Sequence, residues 1–138
     1  MDAPATPGDW SYQSGWARFT TPEGQVLLNL GCNGPTGVVW ISRPGQVPSP
    51  PAMTVRAETM QRRIAVETTA PVDATDRRAA AQQPAPLVPM IVASVPANDP
   101  LLDAIAFSKG RFAVEVSGLA TLYLPSYPEI TRAIEDCR

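Results

Sequence analysis

Two cysteines stand far apart in this chain, and each lies on the apolar side of its own local pattern. Cys32 closes Val26-Leu27-Leu28-Asn29-Leu30-Gly31-Cys32, where a period of two puts Val26, Leu28, Leu30 and Cys32 on one face of a strand. Cys137 follows Ile130, Ala133 and Ile134 at helical spacing, so one apolar stripe carries its sulfur toward a core. Both sulfurs point inward, which predicts a Cys32–Cys137 disulfide tying the last helix to an early strand. In the chain-entropy model a loop of that size stabilises by roughly 4 to 5 kcal/mol. The alternative is two separate buried thiols. Ahead of the stripe, Ser126-Tyr127-Pro128-Glu129 has the form of a capping box, with the Ser126 hydroxyl accepting from exposed backbone N–H groups, Glu129 reaching back and Pro128 in the first turn.

At 138 residues the chain suits one domain, able to bury about two thirds of its unfolded surface. Residues 1–9 are expected to be an extended, poorly ordered lead, with a single β-rich domain over 10–138. Trp10 to Gly15 and Trp16 to Thr21 read as two short strands parted at Gly15, and Thr21-Pro22-Glu23-Gly24 turns into the Val26 strand. A turn over 33–37 leads to the strand Val38–Ser42, and the prolines of Arg43–Pro51 predict a loop. Met53 to Glu58 and Ile64 to Thr68 alternate, with Met53, Val55, Ala57, Ile64 and Val66 inward. Residues 69–86 lack any sustained period and predict a long mobile loop. Met90–Val95 is a strand. Asp99 and Pro100 open a helix with Leu101, Leu102, Ile105 and Ala106 buried and Gly110 ending it. Arg111–Val116 and Leu119–Leu124 then form a hairpin with Phe112, Val114, Val116, Leu122 and Leu124 inward.

The composition restricts chemistry. There is no histidine, which removes the common nucleophilic triads and zinc sites. The net charge of −2 argues against nucleic acid, whose phosphates need a basic face, and Arg62-Arg63 and Arg77-Arg78 read as solvated surface. No apolar run has the roughly 20 residues of a membrane span. No phosphate loop, dinucleotide fingerprint or calcium loop is present, so no cofactor and no metal is expected. Lys109 beside Ser108 reads as a cation at a helix end. Among the acids, Asp99 and Glu129 read as caps, while Asp103, Glu115, Glu135 and Asp136 face outward. No catalytic residue is assigned, and the chain is expected not to be an enzyme.

Two cysteines without histidine fit an oxidising compartment, so a periplasmic or secreted location is expected. The Pro- and Ala-rich lead reads as the start of a mature exported protein, with a signal peptide removed and Met1 added for expression. The aromatic residues Trp10, Tyr12, Trp16, Trp40, Tyr123 and Tyr127 are either packing groups or recognition groups. The candidate binding surface comprises Trp10, Tyr12, Trp16, Tyr123 and Tyr127, together with the Pro-rich loops.

The stretch Ala106-Phe107-Ser108-Lys109-Gly110-Arg111-Phe112-Ala113 and the ending from Leu124 to Arg138 resemble the C-terminal portion of small exported alphaproteobacterial proteins of unknown function. More distantly, they resemble the invasion-associated locus B type of periplasmic β-domain. The resemblance covers the last quarter of the chain and departs from the locus B pattern in having only two cysteines and a different middle section. It implies an exported β-rich domain with a terminal disulfide and carries over no catalytic residue.

The fold expected is mainly β (α+β), an antiparallel β-sandwich or partly open barrel with two short helices in the C-terminal third. The function expected is non-catalytic binding of another protein or a cell-envelope component. Alternatives are a loop-inserting enzyme inhibitor, a carboxylate-based glycan hydrolase and a small-ligand carrier. Unpaired edge strands offer a route to a homodimer.

Overall fold

In the computed structural model, which describes residues 4–32, 37–47, 52–69 and 89–138, the alternating segments become nine strands. They are β1 (Asp9–Gln13), β2 (Trp16–Thr20), β3 (Val26–Cys32), β4 (Val38–Pro44), β5 (Ala52–Arg56), β6 (Gln61–Thr69), β7 (Met90–Pro96), β8 (Arg111–Val116) and β9 (Leu122–Pro125). Two short helices, α1 (Pro100–Ala106) and α2 (Pro128–Glu135), occupy the C-terminal third. The strands form one antiparallel sheet in the order β1-β2-β3-β4-β7-β6-β5-β8-β9, curled into a half-barrel. The expected fold class is the one found.

Local chemistry sets the hairpins. Ser14 and Gly15 have φ of 51° and 86° between the paired Gln13 and Trp16, the left-handed pair that a two-residue hairpin turn needs to match strand twist. Gly24 N–H donates to Thr21 O at 2.9 Å, closing the next turn. Ala57 N–H donates to Met60 O at 2.8 Å, and this tight turn lets β6 start at Gln61 rather than at Ile64. The chain then crosses: β4 pairs with β7, and β5 pairs with β8.

The core lies on the inner face. One row runs Ala17, Leu30, Ile41, Ala93 and Val66 across five strands, and Phe19, Leu28, Phe112 and Leu124 are fully buried nearby. Burying each large side chain contributes roughly 1.5 to 3 kcal/mol. The stripe Ile130, Ala133, Ile134 and Cys137 on and after α2 is buried, packed against β1, β2, β3 and α1. Cys137 is disulfide-bonded to Cys32, with a Cα–Cα distance of 5.2 Å across a sequence separation of 105.

The two edges of the sheet meet. Thr6 N–H donates to Tyr123 O and Tyr123 N–H donates to Thr6 Oγ1, both at 2.9 Å, while Trp10 Nε1 donates to Pro125 O at 2.8 Å. The expected disordered lead therefore needs correction at Thr6, which satisfies groups that the β9 edge would otherwise leave to solvent.

Other expectations change as well. The N-cap of α2 is Tyr127, with no side-chain cap bond, and Ser126 Oγ and Glu129 Oε2 are buried without a partner among the described residues. Ser126 lies one position before the N-cap, and its N–H, which Glu129 would take in a capping box, donates instead to Gly110 O at 3.1 Å. Asp99 does cap α1, its carboxylate accepting from Leu101 N–H at 2.9 Å. That helix ends at Ala106, so Gly110 serves the turn into β8 and Lys109 is not in the last helical turn. Arg43 and Pro44 belong to β4, opposite Ile91 and Met90. The pairing with β3 ends at Asn29–Ser42, so the missing Pro44 N–H interrupts no β3 bond. Leu119 lies in the β8–β9 turn, its N–H donating to Val116 O at 3.0 Å, and β9 begins only at Leu122. Residues 48–51 of the Pro-rich loop and 70–86 of the expected mobile loop lie outside the described residues.

Replacing both cysteines by serine is expected to leave the fold recognisable by circular dichroism but to lower unfolding free energy in urea by about 2 to 5 kcal/mol. An unchanged midpoint would show that helix packing alone holds the C-terminus.

Candidate functional site

The five aromatic residues of the expected binding surface separate. Trp10 is 6% exposed and packs edge-on to Phe19, with ring centroids 5.3 Å apart and an interplanar angle of 69°. It is a core residue with its indole N–H satisfied, so it is not part of a surface. Tyr12 is partly buried between the sheet and α2: its hydroxyl bonds to the Asp136 carboxylate and accepts from Gly15 N–H at 3.1 Å. The Arg132 guanidinium carbon lies 4.1 Å from the Tyr12 ring centroid, a cation–π contact that fixes the helix on β1. Tyr123 is partly buried beside Thr6, and Tyr127 is 48% exposed at the start of α2. These four residues are not gathered on one face.

Trp16 is different. Strand parity places it on the outer face, in a row that continues through Gly31, Trp40 and Ser94 on β3, β4 and β7. The Trp16 indole lies directly against Gly31: a Cβ there would stand 2.6 Å from both Cδ2 and Cε3 and 2.7 Å from Gly15 O. Gly31 is thus the seat of the ring, and Trp40 stands on the next strand, also partly buried. Below this row, Arg18, Asn29, Ser42 and Val92 form a second one, in which Arg18 Nε donates to Asn29 Oδ1 at 3.0 Å. Two indoles, a guanidinium and small hydroxyls therefore share one outer face across β2, β3, β4 and β7. The pairing of Trp16 with Trp40 across Gly31 was not read from sequence, although Trp40 has the opposite parity to Val39 and Ile41 and Trp16 the opposite parity to Ala17 and Phe19.

The acids considered for chemistry are engaged structurally. Arg62 Nη1 contacts Asp99 Oδ2 at 2.5 Å while its side chain stays 38% exposed, so Arg62 is the solvated surface group expected and also carries an ion pair. The Arg62 bond, with the Leu101 N–H, outweighs partial burial and holds the Asp99 carboxyl below its ordinary range. Asp103 and Glu135 pair with Arg138 at 2.7 and 3.3 Å, and Glu115 pairs with Arg56 at 3.2 Å. A shallow notch of about 500 Å³ is lined by Ala57, Glu58, Lys109, Gly110 and Arg111. Its groups serve one another: Lys109 N–H donates to Glu58 Oε2 at 2.9 Å, and Ser108 Oγ accepts from Glu58 N–H and donates to Arg111 O, each at 3.0 Å. The Ser108 proton is committed to a backbone carbonyl.

Among the described residues no helix is long and apolar enough to cross a membrane. Comparison of the chain with protein-family models, curated proteins and solved structures gives no match.

Two outcomes follow from this geometry. Gly31→Ala is expected to displace the Trp16 ring, red-shift tryptophan emission and cost about 1 to 3 kcal/mol in chemical denaturation; an unchanged spectrum would refute the contact. Because the Asp99 pKa is depressed in the folded state, its contribution is present above the unfolded pKa and is lost as pH falls through about 4 and below. Asp99→Asn is expected to flatten that acid limb in Tm measurements between pH 2 and 6, and Asp99→Ala to cost about 1 kcal/mol at pH 7 through the lost cap.

Proposed function

We propose that this chain is a non-catalytic, exported protein that binds another protein of the periplasm or cell envelope through the outer face of β2, β3, β4 and β7. The observation that carries the reading is the indole pair of Trp16 and Trp40 astride Gly31. Trp and Arg dominate the energy of protein interfaces: Trp buries a large area with few rotatable bonds and keeps a polar N–H, and Arg presents a planar fork of donors. Here both indoles and Arg18 share a rigid sheet face, so little conformational entropy is lost on docking. A disulfide between an early strand and the last helix suits an oxidising compartment, and the resemblance of the C-terminal quarter to exported β-domains agrees with it.

Site-specific photocrosslinking checks the reading. A benzophenone side chain at Ser94, beside the indoles, is expected to give one discrete adduct in envelope extracts. The same group at Glu23, in the β2–β3 turn, is expected to give none. Trp16→Ala/Trp40→Ala should abolish the Ser94 adduct while circular dichroism stays unchanged. Equal labelling from Ser94 and Glu23, or an adduct indifferent to loss of both indoles, would overturn the assignment.

A further inference from the structure

We infer that the inner face of the half-barrel carries an anion site built on Arg43, which takes a carboxylate borne on an apolar group. Strand β4 presents Val39, Ile41 and Arg43 to the interior in succession, opposite Val95, Ala93 and Ile91. Arg43 is only 6% exposed and its neighbours Ile41 and Ile91 are essentially inaccessible. The Arg43 Nε and Nη1 atoms are shielded and have no hydrogen-bond partner among the described residues.

A guanidinium cannot relieve such burial by losing its proton, because it stays charged in proteins. Desolvation lowers the Arg43 pKa from its usual value, and an uncompensated buried charge is costly. The contrast with other arginines is direct. Arg56, Arg62 and Arg138 reach solvent, and each has a carboxylate partner, Glu115, Asp99 and Asp103 respectively. Among the described residues the chain supplies acids to arginines that water already solvates and none to the one that water scarcely reaches. A carboxylate completes Arg43 by charge-assisted hydrogen bonds.

The surroundings define the rest of the ligand. Just beyond Arg43, a Cβ on Gly45 would come 2.6 Å from Leu119 Cδ1 and 3.6 Å from Ile91 Cδ1, and one on Gly118 would lie 3.6 Å from Val47 Cγ1. Aliphatic side chains from β7 and two turns thus gather at this end of the sheet. The helices lie at the other end, where Cys137 Sγ approaches Val38 O at 3.4 Å, roughly 17 Å away by strand rise. The site is separate from the indole face and does not depend on it.

The test uses the intact, oxidised chain labelled with nitrogen-15 at arginine. Octanoate is expected to shift the Arg43 Nε–H resonance saturably and to raise Tm by about 5 °C at saturation. Inorganic phosphate and chloride at matched ionic strength should do neither. Arg43→Met is expected to abolish the octanoate-dependent Tm rise, with a ligand-free Tm at or above that of the parent because the buried charge is gone. No saturable change at the Arg43 resonance, or the same Tm rise in Arg43→Met, overturns the site. An equal response to phosphate overturns its carboxylate-and-apolar specificity. Should Arg43→Met fail to fold, the resonance titration of the parent chain decides alone.

Discussion

A curled sheet has two edges, and the architecture here depends on how those edges are held together. Thr6 exchanges two hydrogen bonds with Tyr123, and the Trp10 indole N–H reaches Pro125 O. Exposed strand edges otherwise offer backbone groups to any passing chain. Joining β1 to β9 pulls the sheet around its own side chains, so that Phe19, Phe112 and Leu124 share one interior. Trp10 serves both ends of this arrangement, with its ring against Phe19 and its N–H on the far edge. Helix α2 then covers β1, β2 and β3, and the disulfide fixes its far end to β3. Packing and covalent closure act on the same side of the molecule.

The elements that were legible in the sequence are those whose pattern is decided locally. The stripe Ile130, Ala133, Ile134 and Cys137 is a helical face whichever sheet receives it, and Cys32 ends an alternating run, so their pairing could be anticipated. Asp99-Pro100 caps a helix by its own geometry. The capping box at Ser126 did not form: its N–H, the group Glu129 would have taken, goes to Gly110 O, sixteen residues earlier in the chain, a contact that local pattern does not encode. Pro44 concealed the end of β4, since a proline normally stops a strand and here stands beyond the last β3 pair. Arg43 shares parity with Val39 and Ile41 and could have been placed inside by that signal, had the strand been carried one residue further.

The candidate surface shows the same division. Parity separates Trp10 from Trp16, since each is fixed by its neighbours Tyr12, Ala17 and Phe19, yet the value of Trp16 as a surface group comes from Gly31 across the sheet. That juxtaposition depends on the β2–β3 register, which shifts between Phe19 and Thr20. A sequence shows that an indole and a glycine are present; only the register brings one onto the other. The same face therefore combines a scaffold decided by alternation with an indole placement decided by pairing.

The contacts that finish the molecule join its beginning to its last sixteen residues: Thr6 with Tyr123, Trp10 with Pro125, and Cys32 with Cys137. A chain emerging from the ribosome makes β1, β2 and β3 long before their final partners exist. Those strands must wait with one edge and one apolar face uncovered, a period in which aggregation and protease attack compete with maturation. Completion is thus postponed until residues 123–137 arrive, and loss of the segment that carries α2 would remove the cover of β1, β2 and β3 together with the disulfide.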